Sequence, residues 1–344
     1  MPQYNNEVIK LKKIYLTFLL MAVVAIAGCV GMPNAFKGIF GPSQPAVEQT
    51  PDLLIFSSKG TMPSQPISAD TDFTIWTELK SQAEPGSPPL TNVKVSLYDW
   101  GLCDVIGNFQ PDSTGWKFEN NKWTYTFSEF VPNQLERIEF GFRAPDNTRI
   151  GNIEADCPIR WQVEYKTSSR SQDDFDIISQ SRLRELQRIG ESPSWKDQPQ
   201  YVGIGPVKIY FDWKTPGPVV SGGTIQFSIR VVDKGIGSYG TIDKKTMRLT
   251  VPADWKSKEG KEWELGDKPC SKFEVVAMGA DIILKNSEPI NLINRQTPEI
   301  VCTFKAPDLD AKNIPEKSYV VSAEIRDYSY KLMEEQVVHI KPSA

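Results

Sequence analysis

A single histidine, His339, stands in a chain of 344 residues. Ser-His-Asp and Cys-His catalysis need a histidine held by neighbours, and multi-histidine metal sites need several. His339 lies in the alternating stretch QVVHIKP and reads as a strand residue near the surface. An excess of positive charge is missing too, with 39 basic residues against 43 acidic ones. A nucleic-acid groove needs a basic face, so nucleic acid is not an expected partner. No N-x-S/T sequon occurs, and N-glycosylation at that motif is not expected. Long apolar runs are confined to one place near the start, and helical periodicity to one segment in the middle.

The apolar run IYLTFLLMAVVAIAG, residues 14–28, carries no charge and follows Lys10, Lys12 and Lys13. A basic region, a short apolar core and small residues before a cleavage point describe a secretory signal. Extended to Met32, the run also reaches the lower limit of a membrane-spanning helix. Ile26-Ala27-Gly28-Cys29 resembles the lipobox of prokaryotic lipoproteins, which implies lipidation of Cys29 and a new N-terminus there. An uncleaved anchor helix and ordinary cleavage with release are the alternatives. A lipid and an anchor helix agree on topology: lysines inside, the remainder outside, held at the cell membrane. Without residues 1–28 the chain has 36 basic and 42 acidic residues, net −6. Residues 29–51, rich in Pro, Gly and Gln, read as a tether.

Beyond the tether the chain repeats. FRAPD at Phe142–Asp146 returns as FKAPD at Phe304–Asp308, 162 residues later. At that offset Ile138, Phe140 and Phe142 fall on Ile300, Cys302 and Phe304, and Ile159, Trp161 and Val163 on Val321, Ala323 and Ile325. DFTIWTELK (72–80) likewise resembles QFSIRVVDK (226–234). The order is kept over about a hundred residues, which points to a duplicated module. Within each copy the period is two, as in Phe73, Ile75, Thr77 and Leu79, or Ile225, Phe227, Ile229 and Val231. Such alternation marks strands with one buried face. The expected fold is therefore all-β, two tandem immunoglobulin-like β-sandwiches over residues 52–170 and 201–344. Residues 171–200 are expected to hold an interdomain helix, 173–189, and a linker. Asp173, Asp174 and Asp176 suit a helix start, Arg182, Arg184 and Arg188 its end, and Gly190 its terminator.

The F-x-I-x-V strand followed by DKGIG resembles the Ig-like domains found in tandem on archaeal and bacterial surface proteins, including the CARDB type. That resemblance implies fold and envelope location, and it implies no binding residues.

If Cys29 takes a lipid, four cysteines remain, two in each half: Cys103 and Cys157, then Cys270 and Cys302. Three pairings are possible, and pairing within each half is expected for an extracytoplasmic chain. Such bridges would contribute roughly 3–4.5 kcal/mol each; four buried thiols are the alternative. GIGSYG, Gly235–Gly240, matches a dinucleotide loop, but a strand-like run follows where that loop needs a helix, so it reads as a hairpin turn. DLDAKN, 308–313, clusters oxygen ligands yet lacks the central glycine and distant glutamate of a calcium loop. No cofactor is expected. Trp100, Trp116, Trp195 and Trp255 lie at strand ends or in loops and are the candidates for stacking on glycans. Glu129, Glu136, Asp173 and Asp176 offer no catalytic spacing, and no enzymatic activity is expected. The expected role is an interaction or structural module, with envelope proteins or glycans as partners.

Overall fold

The structure, a computed structural model, describes residues 52–112, 114–193 and 200–343. The signal or anchor, Cys29, the tether and Trp195 lie outside the described residues.

The first half runs through β1 (Leu54–Met62), β2 (Ile67–Ser68), β3 (Asp72–Ser81), β4 (Leu90–Asp99), β5 (Asp104–Gln110) and β6 (Lys117–Glu119). It continues with β7 (Lys122–Phe130), β8 (Leu135–Arg143), the short helix α1 (Asn147–Ile150) and β9 (Ala155–Ile178). After α2 (Gln180–Arg188) come β10 (Tyr201–Val202), β11 (Val207–Trp213), β12 (Val219–Val220), β13 (Thr224–Asp233), β14 (Thr241–Ile242) and β15 (Met247–Pro252). The chain closes with β16 (Phe273–Met278), β17 (Asp281–Asn286), β18 (Ile290–Asn291), β19 (Ile300–Lys305) and β20 (Glu316–Lys341).

Alternation decides these elements. Phe73, Ile75, Thr77 and Leu79 of β3 are buried, as are Ile225, Phe227, Ile229 and Val231 of β13. Strand geometry sends every second side chain to one face, so each run needs a second sheet to cover it. In the first half the sheet β1-β3-β8-β5 packs on the sheet that contains β6, β7, β4 and β9. Phe140 of β8 and Phe56 of β1 both reach Trp161 of β9, at 5.8 and 6.2 Å between ring centroids. In the second half β11-β13-β19 covers the sheet of β16, β17, β15 and β20. There Phe175 of β9 stacks on Trp213 of β11 at 4.2 Å, and Phe304 of β19 meets Trp255 at 5.4 Å. The fold is an all-β sandwich.

The repeat is visible in the pairings. β3 pairs with β8 as β13 pairs with β19. Phe73 lies opposite Phe142, and Phe227 lies opposite Cys302 with Phe304 two residues further along the strand. A two-residue difference in register keeps every inward side chain inward, because the strand period is two. Phe73–Phe142 and Phe227–Phe304 are both stacked, at 5.5 and 5.6 Å.

Two strands, of 24 and 26 residues against at most 10 in the other described strands, tie the halves together. β9 and β20 run antiparallel from Ala155↔Ile340 to Ile178↔Glu316. The first part of β9 pairs with β4 of its own half, with Leu97 opposite Trp161. The first part of β20 pairs with β15 of its own half, with Leu249 opposite Ala323. The second part of each crosses over and lies beside the other: residues 169–178 against 316–325, and 328–340 against 155–167. Each repeat thus lends its last strand to its partner's sheet. The far edge of β9 is covered by β10 and β12, and that of β20 by β2, which leaves those unpaired backbone groups shielded.

This exchange corrects the expected helix. Residues 173–178 are strand, and the helix occupies only Gln180–Arg188. Phe175 and Ile177 point inward at 0% exposure while Asp174 and Asp176 alternate between them, a period-two pattern inside what reads as a ragged helical stripe. The backbone groups of the stretch are taken by β20, which outweighs its acidic helix-start composition. Asp173 instead accepts a hydrogen bond from Trp213 Nε1 at 2.8 Å. Ser179 caps α2 through Arg182 N–H, at 3.1 Å. The anion at the helix start is supplied by Asp310, which accepts from the Gln180 and Ser181 amides at 2.8 and 3.0 Å. Gly190, at φ +78°, ends the turn as expected.

Candidate functional site

The four cysteines pair within their halves, Cys103 with Cys157 and Cys270 with Cys302. All four are at most 2% exposed. Cys103 ties the turn after β4 to the start of β9. Cys270 ties the loop before β16 to β19, where Ser271 N–H and Thr303 N–H already bond across to Val301 and Pro269 carbonyls.

The candidate tryptophans among the described residues, Trp100, Trp116 and Trp255, do not form an exposed platform. Trp255 is 0% and Trp116 6% exposed, both within the core. Trp116 lies among Phe109, Tyr125 and Phe140, with centroids 5.0–5.5 Å away. The loop 256–263 folds back so that Trp263 Nε1 donates to the Trp255 carbonyl and shields it. Trp100 is partly buried against the same core. Loop position in the sequence therefore did not mean exposure, because these loops lie across open sandwich edges.

DLDAKN is a turn with two tasks. Asp308 Oδ1 accepts from the Ala311 amide at 3.1 Å, and Asp310 caps α2. The amide and hydroxyl donors on Asp310 hold its carboxyl below the usual carboxylate range. Among the described residues, no three His, Cys, Asp or Glu side chains come together to hold a metal ion. A polar hollow of about 700 Å³ lies beside the Cys270–Cys302 bridge, edged by Lys258, Glu262, Trp263 and Asp267.

The most elaborate polar arrangement lies where the halves meet, and it contains the GIGSYG loop. The loop is a turn between β13 and β14, but it does not close the expected hairpin: β14 pairs with β18, while β13 pairs with β11 and β19. Its amides do meet anions, but those anions belong to the chain. Asp233 Oδ1 accepts from Gly235 N–H at 3.2 Å and from the Tyr330 hydroxyl at 2.9 Å. Asp233 Oδ2 accepts from Tyr239 N–H at 3.3 Å and faces Arg295 Nη2 at 3.0 Å. Ile236 N–H donates to Asp52 Oδ2 at 2.8 Å. Arg295 also donates to the Gly235 and Gly237 carbonyls. Such a cluster of convergent amides is an anion cradle, here filled by carboxylates.

The glycines are required by close approach. A Cβ on Gly237 would lie 2.2 Å from the Lys331 carbonyl oxygen, and one on Gly235 would lie 2.3 Å from the Tyr330 hydroxyl. Beneath the loop, Tyr328 bonds Ser169 Oγ at 2.9 Å across the β9–β20 pairing. Burial pushes the Tyr328 and Tyr330 hydroxyls far above the ordinary tyrosine value, so both serve as neutral hydrogen-bonding groups. Asp52, Asp233, Arg295 and Tyr330 carry no motif of their own. The only signal of this junction in the sequence was the glycine spacing.

No protein-family model matches the chain, and no curated protein matches it. Among solved structures it is similar to a membrane-anchored protein from Corynebacterium diphtheriae, with 8% identity and a TM-score of 0.22, covering 83% of this chain and 91% of that one. It is also similar to the C-terminal domain of the AgI/II polypeptide BspA from Streptococcus agalactiae, with 9% identity, a TM-score of 0.18, and coverage of 83% and 99%. A chitinase, ChiA74 from Bacillus thuringiensis, matches with 10% identity and a TM-score of 0.16, covering 79% of this chain and 29% of that one.

Proposed function

We propose that this chain is a membrane-anchored, extracytoplasmic protein whose interlocked sandwiches act as a non-catalytic interaction or structural module of the cell envelope. The observation that carries this reading is the use of the five cysteines. Four close two disulfides, one within each half, which suits an oxidising compartment. The fifth, Cys29, stands at the end of the apolar run in a lipobox-like context. Within this reading the halves are immunoglobulin-like modules of the kind arrayed on archaeal and bacterial surfaces. The exchanged strands β9 and β20 support a load-bearing or spacer role, since pulling the halves apart must break a long antiparallel ladder interrupted by a register shift between Ile325 and Tyr328.

Intact mass of the membrane-extracted protein, with and without reductant, tests the reading. A mass beginning at a lipid-bearing Cys29, gaining two protons per bridge on reduction, is the expected result. A soluble protein without a lipid or an apolar anchor overturns the membrane assignment.

A further inference from the structure

Asp52 is only 2% exposed, and its Oδ1 has no hydrogen-bond partner among the described residues. A Cβ on Gly235 would lie 2.3 Å from that oxygen and from the Tyr330 hydroxyl, so both crowd the same bare face of the loop. The charged and titratable groups around Asp52 come from four directions. Asp233 faces it from the end of β13, Arg295 from the loop between β18 and β19, Tyr165 from β9, and Tyr328 and Tyr330 from β20. Of these only Arg295 is a cation, and it is engaged by Asp233 and by two carbonyls. Two buried carboxylates therefore share one guanidinium, which is itself half exposed. Asp233 has four donors and is the better satisfied. Asp52 has one.

A buried carboxylate with an idle oxygen and an anionic neighbour is stabilised by taking up a proton. Burial raises the Asp52 carboxyl above its ordinary value; the Ile236 amide opposes this, the charge of Asp233 adds to it, and Arg295 opposes it.

We propose that Asp52 and the 233–237 loop form a proton-operated latch between the two halves, closed when Asp52 is protonated and loosened when it is ionised. The latch fastens the segment just before β1 to a loop of the second repeat, at the junction where β9 and β20 cross. Ionisation releases the proton to solvent and leaves a second buried negative charge beside Asp233. The sign follows from linkage. The folded chain holds this proton more tightly than the unfolded one. The contribution is thus complete below the ordinary aspartate value, and it is lost as pH rises through the raised one.

The test is thermal unfolding of the full-length, membrane-extracted protein beside its Asp52→Asn variant, from about pH 4 to pH 8. Asparagine keeps the acceptor for Ile236 N–H and removes the charge. The expected result is near coincidence at the acid end, with the variant gaining a few degrees over the parent as pH rises. A gap that does not change with pH overturns the latch. Should the variant not fold, hydrogen exchange of residues 233–237 in the parent decides the matter. Protection that falls with pH, after correction for intrinsic exchange, supports the latch, and constant protection overturns it. Neither outcome depends on whether Cys29 carries a lipid, so the latch and the proposed function fail separately.

Discussion

His339 Nδ1 lies 2.6 Å from Asp156 Oδ1, which joins a residue near the end of the second repeat to the first residues of β9. The pair is exposed and worth little by itself. Its importance is positional: Val338 faces Cys157, so β20 arrives in the first half beside the strand that carries a disulfide. The sheet of one repeat is completed by residues of the other.

If the ladder is shared in this way, a chain shortened after Arg326 loses the partner of residues 155–167. Hydrogen exchange should then show loss of protection along that part of β9, even though every first-half residue is present. Full protection would mean that the first half stands without the exchanged strand.

Removing the disulfides by Cys103→Ser with Cys157→Ser, or Cys270→Ser with Cys302→Ser, should lower stability in denaturant titration. The sequence separations of 54 and 32 residues put each loss at about 4 kcal/mol or less by chain-entropy estimates. The 54-residue bridge should cost slightly more.

Trp255→Ala should destabilise by about 3–5 kcal/mol, as expected for an aromatic removed from a packed core. Binding of soluble glycans, measured by calorimetry under folding conditions, should not distinguish Trp255→Phe from the parent.

Gly237→Ala should cost about 1–3 kcal/mol, since the new Cβ meets the Lys331 backbone oxygen, which only a shift of β20 can relieve. Thermal unfolding measures it, and a neutral outcome would show that the loop is free to move away from β20.

Asp254 bonds Lys317 at 2.9 Å and Lys312 at 3.1 Å, and it accepts from the Tyr319 hydroxyl at 3.2 Å. The Lys317 bond foremost, then Lys312, lowers its carboxyl to about 2 against the opposing effect of burial. A lowered carboxylate contributes stability above its unfolded value and loses it as pH falls through the folded one. Asp254→Asn should therefore reduce stability at neutral pH by about 1 kcal/mol and flatten the acid limb between roughly pH 4 and pH 2. This is opposite in direction to Asp52, so the two variants separate on one pH series.

The sequence by itself determined the local choices. Alternation in stretches such as Phe73–Leu79 dictates strand, because only a period of two puts those side chains on one face. The 162-residue repeat dictates that the same pairing, β3 with β8 and β13 with β19, is built twice. The even cysteine count after Cys29, two in each half, favours bridges within halves without fixing the pairing, and the structure forms those bridges. Tertiary structure alone decided the rest. Residues 173–178 carry helix-start acids and an alternating apolar pair at once, and the waiting edge of β20 resolved that conflict toward strand. Trp116 and Trp255 look like loop residues until the open edges they cover are in place. The GIGSYG amides look ready for phosphate until Asp52 and Asp233 arrive from distant positions and occupy them. In each case the missing information was a partner far away along the chain, and a local pattern carries no signal of which distant group will supply the compensating hydrogen bond.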